Sequence, residues 1–139
     1  MREILFRGKT EDGRWVNGSL LRGINRYIDG NEVMYIYPVD TRIHDYGVVS
    51  GYFGERVIPE TVGQFTGLFD KDGIAIFEGD IVLCCGEYRS VIYDNEYAEF
   101  EFDDHDPVKY PEGLSLCSDH LGCEVIGNIH DNPELLEVK

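Results

Sequence analysis

Short runs of alternating apolar and polar residues, separated by turn sequences, dominate the chain. Asp-Gly steps occur at Asp12-Gly13, Asp29-Gly30 and Asp72-Gly73, and each lies between apolar or aromatic runs. Glycine adopts positive φ without steric cost and aspartate tolerates it, so such pairs are typical of hairpin turns. The pattern therefore predicts a β-hairpin at each of these three steps.

The same reading divides most of the chain into short strands. The predicted strands cover residues 3–7, 14–21, 33–39, 64–69, 74–77, 80–85, 88–93, 97–102 and 123–129. In the stretch 97–102, Phe100 and Phe102 fall on one face and Glu99 and Glu101 on the other, which is the period of a strand with one wet face. Helical content is expected to be slight, with a turn near 115–121 and a short helix after Asn132.

Many short strands with closely spaced turn signals predict a mainly β protein. We expect an N-terminal β-meander lobe over residues 1–61 and a C-terminal barrel-like lobe over 62–139. No Gly/Ser-rich or Pro-rich linker lies between them, so the two lobes are expected to pack together as one unit.

Charge is the most unusual bulk property. Among 139 residues, 12 Lys and Arg stand against 27 Asp and Glu, which gives a net charge of −15. Nucleic-acid binders gain affinity by neutralising phosphates with cations, and anionic membranes attract basic surfaces. We therefore expect no direct nucleic-acid or membrane binding. The acidity serves solubility, attracts a basic partner protein, or imitates nucleic acid towards one.

The expected location is the cytoplasm. The N-terminal residues lack the pattern of a signal peptide, and no apolar run is long enough to cross a bilayer. The four cysteines are therefore expected to stay reduced.

Three segments of the chain are distinctive in their order and spacing. They are residues 2–9 (REILFRGK) with 13–18 (GRWVNG), residues 62–68 (VGQFTGL) with 70–73 (DKDG) and 76–82 (IFEGDIV), and residues 125–129 (VIGNI) with 132–137 (NPELLE). Together they resemble the YopX family of phage and prophage proteins. The resemblance spans nearly the whole chain. It implies a mostly β protein with an SH3-like C-terminal barrel, encoded by a phage or prophage, and it implies no particular activity.

The central segment also has a local physical interpretation. Gly73 and Gly79 are expected to set turns, and Asp80 is expected to accept hydrogen bonds from nearby backbone N–H groups. Glu78 and Asp80 are thus interpreted as turn formers rather than as a catalytic or metal-binding pair.

An acidic run is the candidate binding site. No Lys or Arg occurs from Asp94 to Asp106. The candidate protein-binding residues are Glu99, Glu101, Asp103, Asp104 and Asp106. Two alternatives remain open at this point: a solvated strand face and loop, or a divalent cation site, although the EF-hand spacing is missing.

The cysteines offer a second candidate site. Cys117, His120 and Cys123 have the spacing of three zinc ligands, and Cys84 or Cys85 is available as a fourth. Structural zinc sites normally use two close Cys pairs, which this chain lacks. The alternative interpretation, which we adopt, is that the cysteines are small buried apolar residues. We therefore expect no metal and no cofactor.

No common catalytic motif is present: neither a P-loop, nor a Gly-x-Ser-x-Gly elbow, nor His-Glu-x-x-His. The leading hypothesis is a non-enzymatic phage or prophage accessory protein that binds a protein partner. The alternatives are an acidic DNA mimic that inhibits a host nucleic-acid-binding protein, and a small metal-dependent hydrolase using His120 with Asp119. The sequence leaves the oligomeric state open.

Overall fold

The protein is mainly β, as predicted. The computed structural model describes residues 3–24, 30–38, 54–84, 86–103 and 122–137. Of these residues 58% lie in strands and 9% in short 3-10 turns, and all strand pairs are antiparallel. The structural statements below refer to this part of the chain.

Ten strands occur in the described ranges. They are β1 (Phe6–Lys9), β2 (Trp15–Ile24), β3 (Glu32–Pro38), β4 (Glu55–Val57), β5 (Gly63–Phe69), β6 (Ala75–Phe77), β7 (Asp80–Cys84), β8 (Glu87–Asp94), β9 (Glu99–Phe102) and β10 (Glu124–Asn128). Two 3-10 segments, Pro59–Thr61 and Pro133–Glu137, complete the list. The second segment occupies the position of the predicted C-terminal helix.

The strands form two sheets, with the orders β4-β3-β2-β1-β5-β6 and β10-β7-β8-β9. The chain divides into two compact units, unit 1 (Met1–Gln64) and unit 2 (Phe65–Lys139). Strand β5 contributes to both, since Gly63 and Gln64 pair with β1 while Phe65 and Phe69 pair with β6. The predicted lobe boundary at residues 61 and 62 and the SH3-like topology of the second lobe stay predictions.

In unit 1, the first Asp-Gly step forms the predicted hairpin between β1 and β2. Gly13 has a φ of 88°, and Thr10 N–H donates to the carbonyl of Arg14 at 2.8 Å. Gly18 on β2 lies so close to β3 that an added Cβ would stand 1.8 Å from the carbonyl oxygen of Tyr37. The close approach of these two strands therefore requires glycine at position 18.

Strand β4 was not predicted. It is three residues long and pairs with β3 through Met34 and Val57. The segment that follows is tied to the end of β1, because Ile58 N–H donates to the Lys9 carbonyl at 2.8 Å and Lys9 N–H donates to Thr61 Oγ1 at 2.9 Å. These partners are about fifty positions apart in sequence, so no local pattern indicates the strand.

Unit 2 has its own apolar core. The buried cluster takes side chains from β6, β7, β8, β9 and the residue before β10, namely Ile76, Val82, Cys84, Val91, Phe102 and Cys123. Leu68, Phe100 and Val125 are partly buried against it. Burial of each large side chain contributes about 1.5–3 kcal/mol, so this cluster holds β6 against the four-stranded sheet of unit 2.

The turns of the central segment are confirmed. Gly73 and Gly79 have φ values of 79° and 92°. Asp80 is almost fully buried, and its Oδ2 accepts a hydrogen bond from Phe77 N–H at 2.7 Å. Asp80 thus closes the turn between β6 and β7, as expected for a turn former.

A second buried carboxylate, Asp70, joins two parts of unit 2. Its Oδ1 accepts from the N–H groups of Asp72 and Ile74 at 2.8 and 2.9 Å, within the turn between β5 and β6. Its Oδ2 accepts from Val125 N–H on β10 at 2.9 Å. Burial by itself raises the pKa of Asp70, but these three donors and the charge of Lys71 outweigh it, so the pKa lies below its ordinary 3.8.

We predict that Asp70→Asn destabilises the protein by roughly 2 kcal/mol, because an amide cannot accept all three hydrogen bonds of the carboxylate. The lowered pKa of Asp70 also makes stability depend on pH. The contribution is fully present above pH 3.8 and is lost as pH falls through the lower pKa of the folded state. Urea denaturation followed by circular dichroism at a series of pH values measures both effects.

The matched control is Asp72→Asn, which changes an exposed carboxyl in the same turn and keeps the backbone donor to Asp70. We expect a near-neutral change at pH 7 and an unchanged acid profile. Equal loss in both variants, or an unaltered acid profile in Asp70→Asn, would contradict the role given to Asp70.

Candidate functional site

The hairpin of β8 and β9 carries the described part of the acidic run. Its register places Val91 opposite Phe102, Ile92 opposite Glu101, Tyr93 opposite Phe100 and Asp94 opposite Glu99. Because neighbouring positions alternate between faces, the hairpin has an apolar face turned to the core and an acidic face turned away from it.

The tip of this hairpin is held by Asp94. Its Oδ1 accepts hydrogen bonds from the backbone N–H groups of Glu96 and Tyr97 at 2.8 and 3.3 Å. Ala98 closes the four-residue loop with a φ of 52°, the left-handed region that favours glycine. The result is a defined turn that leaves the Tyr97 side chain 70% exposed.

Four of the carboxylates lie on one face of the hairpin. Asp94 and Glu99 are directly paired, and Glu101 and Asp103 follow at the next alternate positions. Asp103 N–H donates to the Ser90 carbonyl at 2.8 Å, so the pairing continues to this residue. Together with Glu96 at the tip they form a set that we call the hairpin carboxylates: Asp94, Glu96, Glu99, Glu101 and Asp103.

The predicted binding residues are placed as follows. Glu99 and Asp103 are exposed and Glu101 is half-buried, and the three share the acidic face. Asp104 and Asp106 lie outside the described residues. Their part in a binding site, like that of the other three, stays a prediction.

Asp94 and Glu96 belong to the acidic run of the sequence but were not among the predicted binding residues, and Tyr97 was assigned to a strand. The structure instead places residues 95–98 in the tip and begins the following strand at Glu99. The local signal for this turn is Asp94-Asn95, because both side chains readily bond to nearby backbone groups.

The pairing of Asp94 with Glu99 sets two carboxylates directly opposite each other. Like charges at such positions destabilise an antiparallel pair, by a few tenths of a kcal/mol up to about 1 kcal/mol. The hydrogen bonds that Asp94 accepts at the tip give a local reason for this residue, but they do not require a carboxylate at position 99. A cation between the two side chains would relieve the repulsion.

An aromatic pair supports the hairpin from the other face. The rings of Tyr93 and Phe100 are 5.1 Å apart at 67°, an edge-to-face contact. Phe100 also packs against the core cluster, while Tyr93 is 39% exposed. The hairpin is thus anchored by apolar contacts close to its acidic tip.

The negative charge of the chain is concentrated in unit 2. Unit 1 holds 8 Lys and Arg against 9 Asp and Glu, a net charge of −1, whereas unit 2 holds 4 against 18, a net charge of −14. A field of this size attracts basic proteins and accelerates their association at low salt. The hairpin carboxylates therefore lie in the unit that carries almost all of the excess charge.

The candidate zinc ligands are not brought together in the part of the chain that the structure describes. Cys117 and His120 fall outside the described residues. Cys123 is fully buried in the core cluster with Cys84. Across the described ranges, no group of three or more His, Cys, Asp or Glu side chains is arranged to hold a metal ion.

No helix in the described residues is long and apolar enough to span a membrane.

The comparisons with known proteins agree with this fold. A family model described as YopX protein matches residues 5–137. The crystal structure of protein EF1440 from Enterococcus faecalis is similar, with a TM-score of 0.62 and 24% identity over 98% of this chain and 99% of that chain. At this identity the likeness shows the fold alone. Curated proteins gave no match.

We predict that Ala98→Gly stabilises the protein by about 0.5–1 kcal/mol. Glycine removes the cost of a Cβ at positive φ, and this gain exceeds the additional flexibility that glycine gives the unfolded chain. The control is Ala75→Gly in β6, where a glycine is expected to destabilise by a similar amount. Thermal unfolding measures both changes. Destabilisation by both substitutions would show that the tip lacks the conformation described.

Proposed function

The chain belongs to the YopX family, and on that premise we propose that it is a non-enzymatic accessory protein that binds a basic protein partner through the hairpin carboxylates. A phage or prophage origin is part of the proposal and rests on the family resemblance. The proposed place of action is the cytoplasm of the bacterial host, where such proteins would meet their partners.

The observation that carries the proposal is the opposition of the half-buried Asp94 and the exposed Glu99 on the acidic face of the hairpin. The free protein bears the repulsion between them, and a lysine or arginine of a partner would remove it. The free energy gained by relieving the repulsion then contributes to binding and not to folding. This is expected of residues that serve function at some cost in stability.

Tyr97 adds to the fit of this surface for a protein. Tyrosine is enriched among the residues that dominate binding energy at interfaces, because it combines a large apolar ring with a polar end. Here it is 70% exposed, and its backbone N–H donates to Asp94 in the turn. An exposed aromatic residue that follows Glu96 in the sequence suits a basic surface with an apolar centre.

The DNA-mimic alternative is a special case of this proposal. The hairpin carboxylates lie on one short hairpin, whose strand β9 has four residues. This short length favours a local docking face over an extended copy of DNA charge. The hydrolase alternative relies on Asp119 and His120, outside the described residues, and nothing in the described ranges favours it.

A pull-down from bacterial host lysate at low salt, with stepwise salt elution and mass spectrometry, tests the proposal. We expect one stoichiometric basic protein that leaves the tagged chain as ionic strength rises, because exposed charge pairs are screened by salt. A nucleic-acid-binding protein released in competition with DNA would support the mimic. Absence of any protein above background would contradict the proposed function in that host.

We predict that Glu99→Lys raises the stability of the protein and weakens its binding to the partner. A lysine opposite Asp94 replaces a repulsive pair by an attractive one, so unfolding free energy rises by a few tenths of a kcal/mol up to about 1 kcal/mol. The same change places a positive charge in the docking face, so recovery of the partner falls at least tenfold.

The charge-matched control is Glu134→Lys, at an exposed position of the C-terminal 3-10 segment in the same unit. It alters net charge equally and should leave most of the binding intact. Equal loss of binding in both variants would show that only total charge matters. Unchanged binding in Glu99→Lys would remove the hairpin from the site.

A further inference from the structure

Strand β9 is the last strand in the order β10-β7-β8-β9 among the strands that the structure describes. In an antiparallel pair, residues alternate between positions that bond to the neighbouring strand and positions whose N–H and C=O point away from it. Two hydrogen bonds show which residues of β9 bond to β8 and which have backbone groups that point away from it. The first is Asp103 N–H to the Ser90 carbonyl at 2.8 Å, which makes these two a bonded pair.

The second hydrogen bond indicates the same alternation of bonded and non-bonded positions. Val91, opposite Phe102, accepts from Gly79 N–H at 2.8 Å, so the Val91 carbonyl points away from β9. Counting along the strands, Glu101 and Glu99 bond towards β8. The backbone N–H and C=O groups of Phe100 point to the opposite, outer side of β9.

The outer side of β9 therefore combines two recognition elements. Backbone groups at Phe100 point outwards, as at any sheet edge that can receive another strand. Side chains alternate, with Glu99 and Glu101 on the acidic face and Phe100 on the apolar face beside Tyr93. A strand added at this edge would place its own side chains alternately beside carboxylates and beside the aromatic pair.

We propose that β9 receives an extended segment of the basic partner as an additional antiparallel strand, with alternating basic and apolar side chains. Main-chain hydrogen bonds at Phe100 supply affinity, and the alternation supplies specificity. The basic side chains lie beside Glu99 and Glu101, and an apolar side chain lies beside Phe100. This inference rests on the proposed function and names the form and chemistry of the partner's binding segment.

Charge complementarity decides between this occupant and a second copy of the chain. Pairing β9 with β9 would bring carboxylates of two chains together on one face, which destabilises an antiparallel pair. Charged side chains on an edge strand commonly prevent such self-association. The same charges favour a strand that carries lysine or arginine. The edge of β9 therefore favours a basic strand over an acidic one.

The test uses wild-type protein and synthetic peptides. The probe is a capped heptapeptide that alternates four lysines with three valines. Two analogues of this peptide carry backbone N-methyl groups. In the first analogue every valine is N-methylated, and in the second every lysine is N-methylated. Antiparallel addition pairs Phe100 with a residue whose side chain shares its face, so the valine N–H groups point to β9. Affinities are measured by NMR titration at low salt, together with hydrogen exchange of the Phe100 amide.

We expect the valine-methylated peptide to bind at least tenfold more weakly than the unmodified one, and the lysine-methylated peptide to bind equally well. Exchange of the Phe100 amide should slow at least tenfold on binding, with smaller changes at Glu99 and Glu101, which already bond to β8. A peptide alternating glutamate with valine should not bind.

Equal binding by both methylated peptides, or no slowing at Phe100, would overturn strand addition and leave binding by charge alone, so the proposed function would stand. Absence of binding by the unmodified peptide would overturn the inference as well. The proposed function is tested separately by the pull-down, so the two failures are distinguishable.

Discussion

The carboxylate of Asp70 is the contact on which the arrangement of unit 2 depends. It is buried, and a buried carboxylate is tolerated only when hydrogen bonds replace its hydration. Three backbone donors do so, two from the turn between β5 and β6 and one from Val125 at the start of β10. One side chain thus shapes a turn and joins it to a distant strand.

The acidic hairpin is linked to this contact through the four-stranded sheet. Strand β10 pairs with β7, β7 pairs with β8, and β8 carries β9 and the tip. Phe102 and Val91 pack into the core cluster that β6 also lines, so the apolar face of the hairpin is held in place while its other face stays acidic. The period of two along each strand makes this division possible, since core contacts and surface charge use alternate residues of the same short segment.

This division also explains why the hairpin can carry an unfavourable pair. The cost of setting Asp94 against Glu99 is at most about 1 kcal/mol. Burial of Phe102 and Val91 on the opposite face contributes several times more, at about 1.5–3 kcal/mol for each side chain. The fold therefore tolerates two carboxylates at directly paired positions.

Local sequence signals were sufficient for most of the strands. Asp-Gly steps and glycines at positive φ place the turns at Gly13 and Gly73, and alternation at Phe100 and Phe102 identifies the face of β9 that is turned to the core. Glu99 and Glu101 could be named as candidates for the same reason. Each of these predictions depends on residues within a few positions of one another.

Other features depend on contacts between distant segments, and the sequence could not show them. Strand β4 needs β3 and the end of β1 as partners. The role of Asp70 needs Val125, fifty-five positions away. Asp94 lies opposite Glu99 because the tip has four residues, 95–98. The sequence prediction began the strand at Tyr97 and therefore did not give this length. Tertiary register, rather than composition, places these carboxylates opposite each other.

Hydrogen–deuterium exchange of the full chain, alone and with the captured basic partner, locates the binding surface. We expect protection on binding to be concentrated in residues 94–103 of unit 2, with exchange in the described strands of unit 1 unchanged. Protection confined to Met1–Gln64, with residues 94–103 exchanging as in the free protein, would contradict it and move the binding surface away from the acidic hairpin.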